Sequence, residues 1–185
     1  MAHAHPAPAE PTLRQLGDLR GLHVGTATRA STLTGDAAYG AVAAREFNSI
    51  TPANAMKWAS VEPERGEFDW SDADATVAFA RAHDQVVRGH TLVWHNQLPS
   101  WLTSGGFTGP QVLQLMTEHV ATEAGRYAGQ IVAWDVVNEP FNEDGTFHSL
   151  NDAVSIRYAL EALAAARDIG PVPYIRGNGA DVAGS

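Results

Sequence analysis

The sequence contains no cysteine. Disulfides, thiolate metal sites and cysteine nucleophiles are therefore excluded. No stretch approaches the ~20 apolar residues of a membrane span. Positive charge is scarce, with 12 Lys and Arg against 21 Asp and Glu, a net charge of −9. Such a chain repels phosphate backbones and anionic lipids, so no nucleic-acid or membrane-surface role is expected. The first residues, Met1 to Pro11, have no apolar centre of the signal-peptide kind. They read as a flexible Ala/Pro leader, of the type left after a cleavage site or added artificially. A Gly-x-Ser-x-Gly elbow and a phosphate loop are both missing. His3 and His5 make the only His-x-His pair, but they lie in the leader, remote in sequence from the polar clusters described next. No metal site and no organic cofactor is expected.

What is present suits one globular domain: 185 residues, 44% apolar and 18% charged. Strand-like runs alternate with helical patterns. Strands are expected over 21–27, 48–51 (stopped by Pro52), 86–94 and 131–137, the last a nearly continuous apolar run of the doubly buried kind. Helices are expected over 37–47, from an N-cap at Ser71 to about His83, from Pro110 through Val120, and over 156–167, opened near Asn151 and closed by Gly170. Four β-α units in succession imply a parallel sheet with helical crossovers, an α/β fold. The organisation expected is a leader over 1–12, one α/β domain over 13–170, and a divergent Gly/Pro-rich tail over 171–185.

In parallel α/β folds function gathers where strands end. Three of the four strand ends are loaded with polar and aromatic groups: Asn54 to Trp58, Arg88 to Gln97, and Trp134 to Glu139. Each residue alone has a structural explanation, a hydrogen-bonded histidine or a core tryptophan. Together, Lys57, His90, Trp94, His95, Gln97, Asn138 and Glu139 would be costly to gather without a ligand or one another. Indole faces stack on sugar rings, amides and imidazoles bond hydroxyls, and a carboxyl among them can protonate a glycosidic oxygen. A metal site is the sharpest rival, but His90 and His95 are five apart and on a strand would face opposite ways.

The runs EFNSITPANAMKW, VEPERGEFDWSDAD, VRGHTLVWHNQLPSW and WDVVNEPF resemble glycoside hydrolase family 10, the endo-β-1,4-xylanases. The likeness extends from about Leu13 to Arg167. It implies the N-terminal half of a (β/α)8 TIM barrel, about four βα units, an extracellular enzyme, and retaining hydrolysis of xylan or xylo-oligosaccharides. Glu139 corresponds to the family's acid/base and Asn138 to its contact with the 2-hydroxyl of the reacting sugar. Lys57, His90 and Trp94 correspond to the walls of the sugar site at the scissile bond, and Asn54 to a contact with the next sugar. His95 and Gln97 fall in the substrate-side loop, and Asp135 on a buried supporting aspartate.

This chain departs from the family in three ways. Ala53 stands where the family usually has Glu, which removes an acceptor for sugar hydroxyls. Tyr174-Ile175 is followed by Arg176-Gly177-Asn178 rather than the Asn-Asp-Tyr-Asn expected of a fifth strand. The family's nucleophilic Glu lies on a later strand than any read here. Glu143 and Asp144 share the loop of Glu139 and are poor substitutes. The expectation is a fragment inactive alone, whose open barrel edges invite self-association or incomplete order. A non-catalytic xylan-binding or structural remnant is the alternative, and another barrel glycosidase such as a cellulase a third reading.

Overall fold

The structure, a computed structural model, describes residues 10–151 and 154–155. Its frame is a four-stranded parallel sheet: β1 (Gly25–Thr28), β2 (Ser49–Pro52), β3 (Val86–Trp94) and β4 (Ile131–Asn138). The strands lie in chain order, β1-β2-β3-β4. Parallel neighbours that never reverse order need crossovers of one hand, which keeps the helices on one face. That is the wall of a barrel, whereas a doubly wound sheet reverses its order part-way.

The crossovers are α2 (Ala30–Gly35) and α3 (Ala37–Glu46) between β1 and β2, then α4 (Trp58–Val61) and α5 (Ser71–Ala82) before β3. The short α6 (Ser100–Thr103) and the long α7 (Gly109–Arg126) lead to β4. A short helix, α1 (Leu13–Asp18), precedes the sheet, and a small antiparallel hairpin, β5 (Ser149–Asn151) with β6 (Val154–Ser155), follows it. Among the described residues no helix is long and apolar enough to cross a membrane.

Local chemistry explains most boundaries. Thr12 caps α1 and Gln15 returns the bond to the Thr12 N–H, a reciprocal pair that Thr108 and Gln111 repeat at α7. Arg14 then ties α1 to the end of α5, donating to the carbonyls of His83 (2.6 Å) and Asp84 (2.7 Å). One core fills the space between sheet and helices, with Ile50, Val87, Val93, Val112 and Met116 almost wholly buried. Gly89 lies under the ring of Trp134, where a Cβ would stand 2.2 Å from Cε3.

Several expectations need correction. The first strand starts at Gly25 rather than Gly21, and α1 and α2 were not anticipated. Pro52 is the last residue of β2, opposite Thr28, instead of a stop before it. A missing N–H is tolerable there because no further ladder bond depends on it. Ser71 is the first helical residue of α5, with Trp70 at the cap position; Asp69 accepts from the Ser71 N–H at 2.9 Å. Asn151 belongs to β5, so no helix opens at that residue. The helix expected over 156–167, the tail, and His3 and His5 lie outside the described residues.

Candidate active site

The sheet register brings the loaded strand ends together. His90 faces Asp135 across β3 and β4, and Trp94 faces Asn138. The register is irregular between His90 and Val93, and the His90–Thr91 peptide bond is cis. At the tip, Trp94 donates its indole N–H to Glu139 Oε2 at 2.8 Å. Lys57, only 3% exposed, sits with Nζ 4.6 Å from the centre of the Trp94 ring. Burial lowers the Lys57 pKa, and the charges of Glu139 and Asp135 partly restore it.

Asp135 is the buried hub beneath. It accepts from Arg88 Nη2 at 2.5 Å and Nε at 3.1 Å, and from His90 Nδ1 at 2.8 Å. Burial opposes its ionisation, but the bonds from His90 and Arg88 outweigh it and hold its pKa below the ordinary aspartate value. An acceptor carboxylate at Nδ1 requires the proton there, which leaves His90 Nε2 as an acceptor when the ring is neutral.

Glu139 follows β4 directly, is exposed, and has φ of +47°, a left-handed backbone. Its carbonyl accepts from His95 Nδ1 at 3.2 Å. His95 in turn stacks on His148, ring centres 3.6 Å apart. Burial, then the neighbouring His148, lowers the His95 pKa, and Glu139 works the other way. His95 lies just beyond β3, so the strand alternation expected to separate it from His90 does not apply. Both rings turn to the β4 side, His90 to Asp135 and His95 to the Glu139 carbonyl.

Lys57, His90, Trp94, His95, Asp135, Asn138 and Glu139 are thus joined by contacts or by register. Asn54 and Gln97 are held by backbone bonds: the Asn54 carbonyl accepts from Lys57 N, and the Gln97 carbonyl from Ala59 N. Asn54 is exposed and Gln97 half-buried, with φ of +49°. Two members were not singled out from sequence. Arg88 stands two residues before His90, the spacing of one strand face. His148 arrives on a loop and has no such signal. Asp144 is engaged in that loop's turn, accepting from Thr146 N at 2.9 Å and Oγ1 at 2.6 Å. Among the described residues no group of three or more His, Asp or Glu is placed to hold a metal ion.

A profile described as Glycosyl hydrolase family 10 matches residues 12–175. The chain belongs to glycosyl hydrolase family 10. It is 45% identical over 153 residues to an endo-1,4-beta-xylanase of Agaricus bisporus, covering 80% of this chain and 46% of that one. Endo-1,4-beta-xylanase C of Phanerodontia chrysosporium is 44% identical over 154 residues, 81% of this chain and 38% of that one. Among solved structures, native xylanase 10B of Thermotoga maritima superposes with a TM-score of 0.79 at 34% identity, over 87% of this chain and 51% of that one. Xylanase 10B of Thermotoga petrophila, solved in complex with xylobiose, gives 0.78 at 31%, over 92% and 52%. The chain therefore spans about half the length of these family 10 relatives or less, and its four sequential strands are the N-terminal part of a (β/α)8 barrel.

Proposed function

We propose that this chain carries the acid/base half of a retaining endo-1,4-β-xylanase site acting on xylan outside the cell. One observation carries the reading: the Trp94 indole holds the Glu139 carboxyl at the shared end of adjacent parallel strands. In the first step Glu139 gives its proton to the glycosidic oxygen as a carboxylate on the opposite face attacks the anomeric carbon. In the second it takes a proton from the water that releases the sugar. The Asn138 amide bonds the sugar 2-hydroxyl. His90, proton on Nδ1, offers Nε2 to another hydroxyl, Lys57 donates beside it, and Trp94 walls the ring. Asn54, His95 and Gln97 extend the contact to neighbouring sugars.

The opposing carboxylate is assigned to a strand beyond β4. Asp135 is occupied by Arg88 and His90, and Asp144 by its own turn. That same observation favours a second reading, a xylan-binding piece without turnover of its own. A chimera separates the two: residues 12–151 replace the matching segment of the Thermotoga maritima xylanase. It should release reducing sugar from xylan, and Glu139→Ala should cut the rate by ~10²–10⁴-fold while sparing glycosylation by substrates with good leaving groups. A folded chimera in which that substitution changes nothing would overturn the acid assignment.

A further inference from the structure

A second polar and aromatic site lies outside the Glu139 cluster. The segment 62–70, the end of α6 and one side of α7 enclose a cavity of about 360 Å3, within the ~300–1,000 Å3 span of small-molecule sites. Phe68, Trp101, Arg65 and Glu118 line it, with Glu62 and His119. A cavity of about 250 Å3 shares Arg65 and Glu118 and adds Phe107, Gln111 and Gln114. The two make one groove.

Its aromatic faces are braced from behind. Phe68 lies flat on Trp70, with centres 5.2 Å apart and planes 5° apart, and the Arg126 guanidinium is 4.9 Å from the Trp70 ring centre. Phe68 ends this stack and is 38% exposed. In the adjoining cavity Arg65 lies over Phe107 at 5.2 Å, and Trp101 meets Phe107 edge-on at 6.3 Å.

The polar groups are aligned for hydroxyls. Arg65 is exposed and lines both cavities, and among the described residues its guanidinium makes no ion pair or hydrogen bond, which leaves its donors open to a ligand there. Gln111 Oε1 is used by Thr108, which leaves its NH2 to donate. Gln114 holds one oxygen of Glu118 at 2.8 Å and leaves the other to accept. His119 is wholly buried, stacked on Trp58 with Nε2 on the Leu92 carbonyl at 3.1 Å, so it backs the groove and does not bond the ligand. Flat apolar faces flanked by donors and acceptors suit a pyranose ring, whose C–H face is apolar and whose rim carries hydroxyls. A free anion would meet Glu62 and Glu118 beside Arg65.

We propose that this groove is a second carbohydrate site, binding a stretch of β-1,4-linked pyranose chain such as xylan. The choice of xylan rests on the proposed function. Two sites on one chain would hold the polymer by raising its local concentration at the Glu139 cluster.

Two indoles report the sites separately: Trp94 at the Glu139 cluster, and Trp101, whose N–H donates to the Glu62 carbonyl at 3.0 Å, in the groove. The full chain is titrated with xylohexaose while both indole N–H signals are followed by NMR. Both should move. Phe68→Ala should weaken the Trp101 response about fivefold and leave the Trp94 response unchanged. Arg65→Gln, which removes no packed ring, should act in the same direction. A Trp101 signal that stays still while Trp94 moves, or moves unaltered in both variants, overturns the second site and leaves the proposed function standing. A still Trp94 signal with a moving Trp101 overturns the function instead. An equal Trp101 response to maltohexaose, whose linkages are α-1,4, overturns the assigned ligand class.

Discussion

Trp94 and Glu139 are 45 residues apart in the chain and are joined by a 2.8 Å hydrogen bond. The bond exists because Trp94 ends β3 opposite Asn138, the last residue of β4, so the next residue emerges beside the indole. The indole thus does two things: it fixes the carboxyl and presents its ring to Lys57.

Removing only the indole N–H tests the first role. Trp94→Phe in the chimera keeps an aromatic wall but deletes the donor to Glu139. A bond to a charged group is worth about 1.5–3 kcal/mol, so kcat should fall about 10–100-fold. Steady-state kinetics on xylo-oligosaccharides should show the loss in kcat more than in KM. A rise in KM alone would mean that the indole serves sugar binding and not the carboxyl.

Deep in the helix layer, Glu123 and His119 are both wholly buried, with Glu123 Oε2 3.3 Å from His119 Nε2. Burial raises the Glu123 pKa well above 4.5 and lowers that of His119 to about 3. For Glu123, with its folded value raised, stability is intact below about pH 4.5 and declines as pH rises toward the folded pKa. For His119, with its folded value depressed from 6.5, stability is intact above that value and declines as pH falls toward about 3. Glu123→Gln removes the first penalty. Its stability relative to the parent should improve with rising pH, by up to about 1.4 kcal/mol per unit. Thermal melts at pH 5 and pH 8 check this; an identical difference at both would mean that the fold does not raise the Glu123 pKa.

Among the described residues, the outer edges of β1 and β4 have no strand partner. Leu13, Leu16, Leu19 and Leu22, just ahead of β1 in the chain, are 48–79% exposed. Unpaired edges beside apolar surface promote pairing between chains. The net charge of −9 opposes this, but physiological salt screens it beyond about 8 Å. Sedimentation of the 185-residue chain should show concentration-dependent association that strengthens with salt. A monomer at all concentrations would rule it out.

Much of this architecture is legible in the sequence because buried parallel strands leave dense apolar runs. β3 spans the residues expected, and β4 extends the expected run only by Asn138. Helices α1 and α2, six residues each, are too short for a periodic pattern. The Thr12-Gln15 box was the one available sign of α1. Ser71 misled because Asp69, two residues earlier, supplies the acceptor for its N–H. At the site, residue types and strand ends were readable, and their pairing was not. Arg88 and Asp135 are 47 residues apart, and only the sheet register makes them partners. The His95–His148 stack depends on the return path of the loop after Glu139, which no local spacing encodes.

The left-handed backbone at Glu139 sets the fold against the residue it carries. A non-glycine residue at φ of +47° is held in a region costing roughly 1–2 kcal/mol, and glycine relieves most of that. With Glu139 as the proposed acid, stability and catalysis pull in opposite directions at this one position. On that proposal, a lineage released from cleaving polysaccharide would gain stability by the change Glu139→Gly while losing its proton donor. On the proposed acid role, glutamate is held at this position by chemistry against that conformational cost.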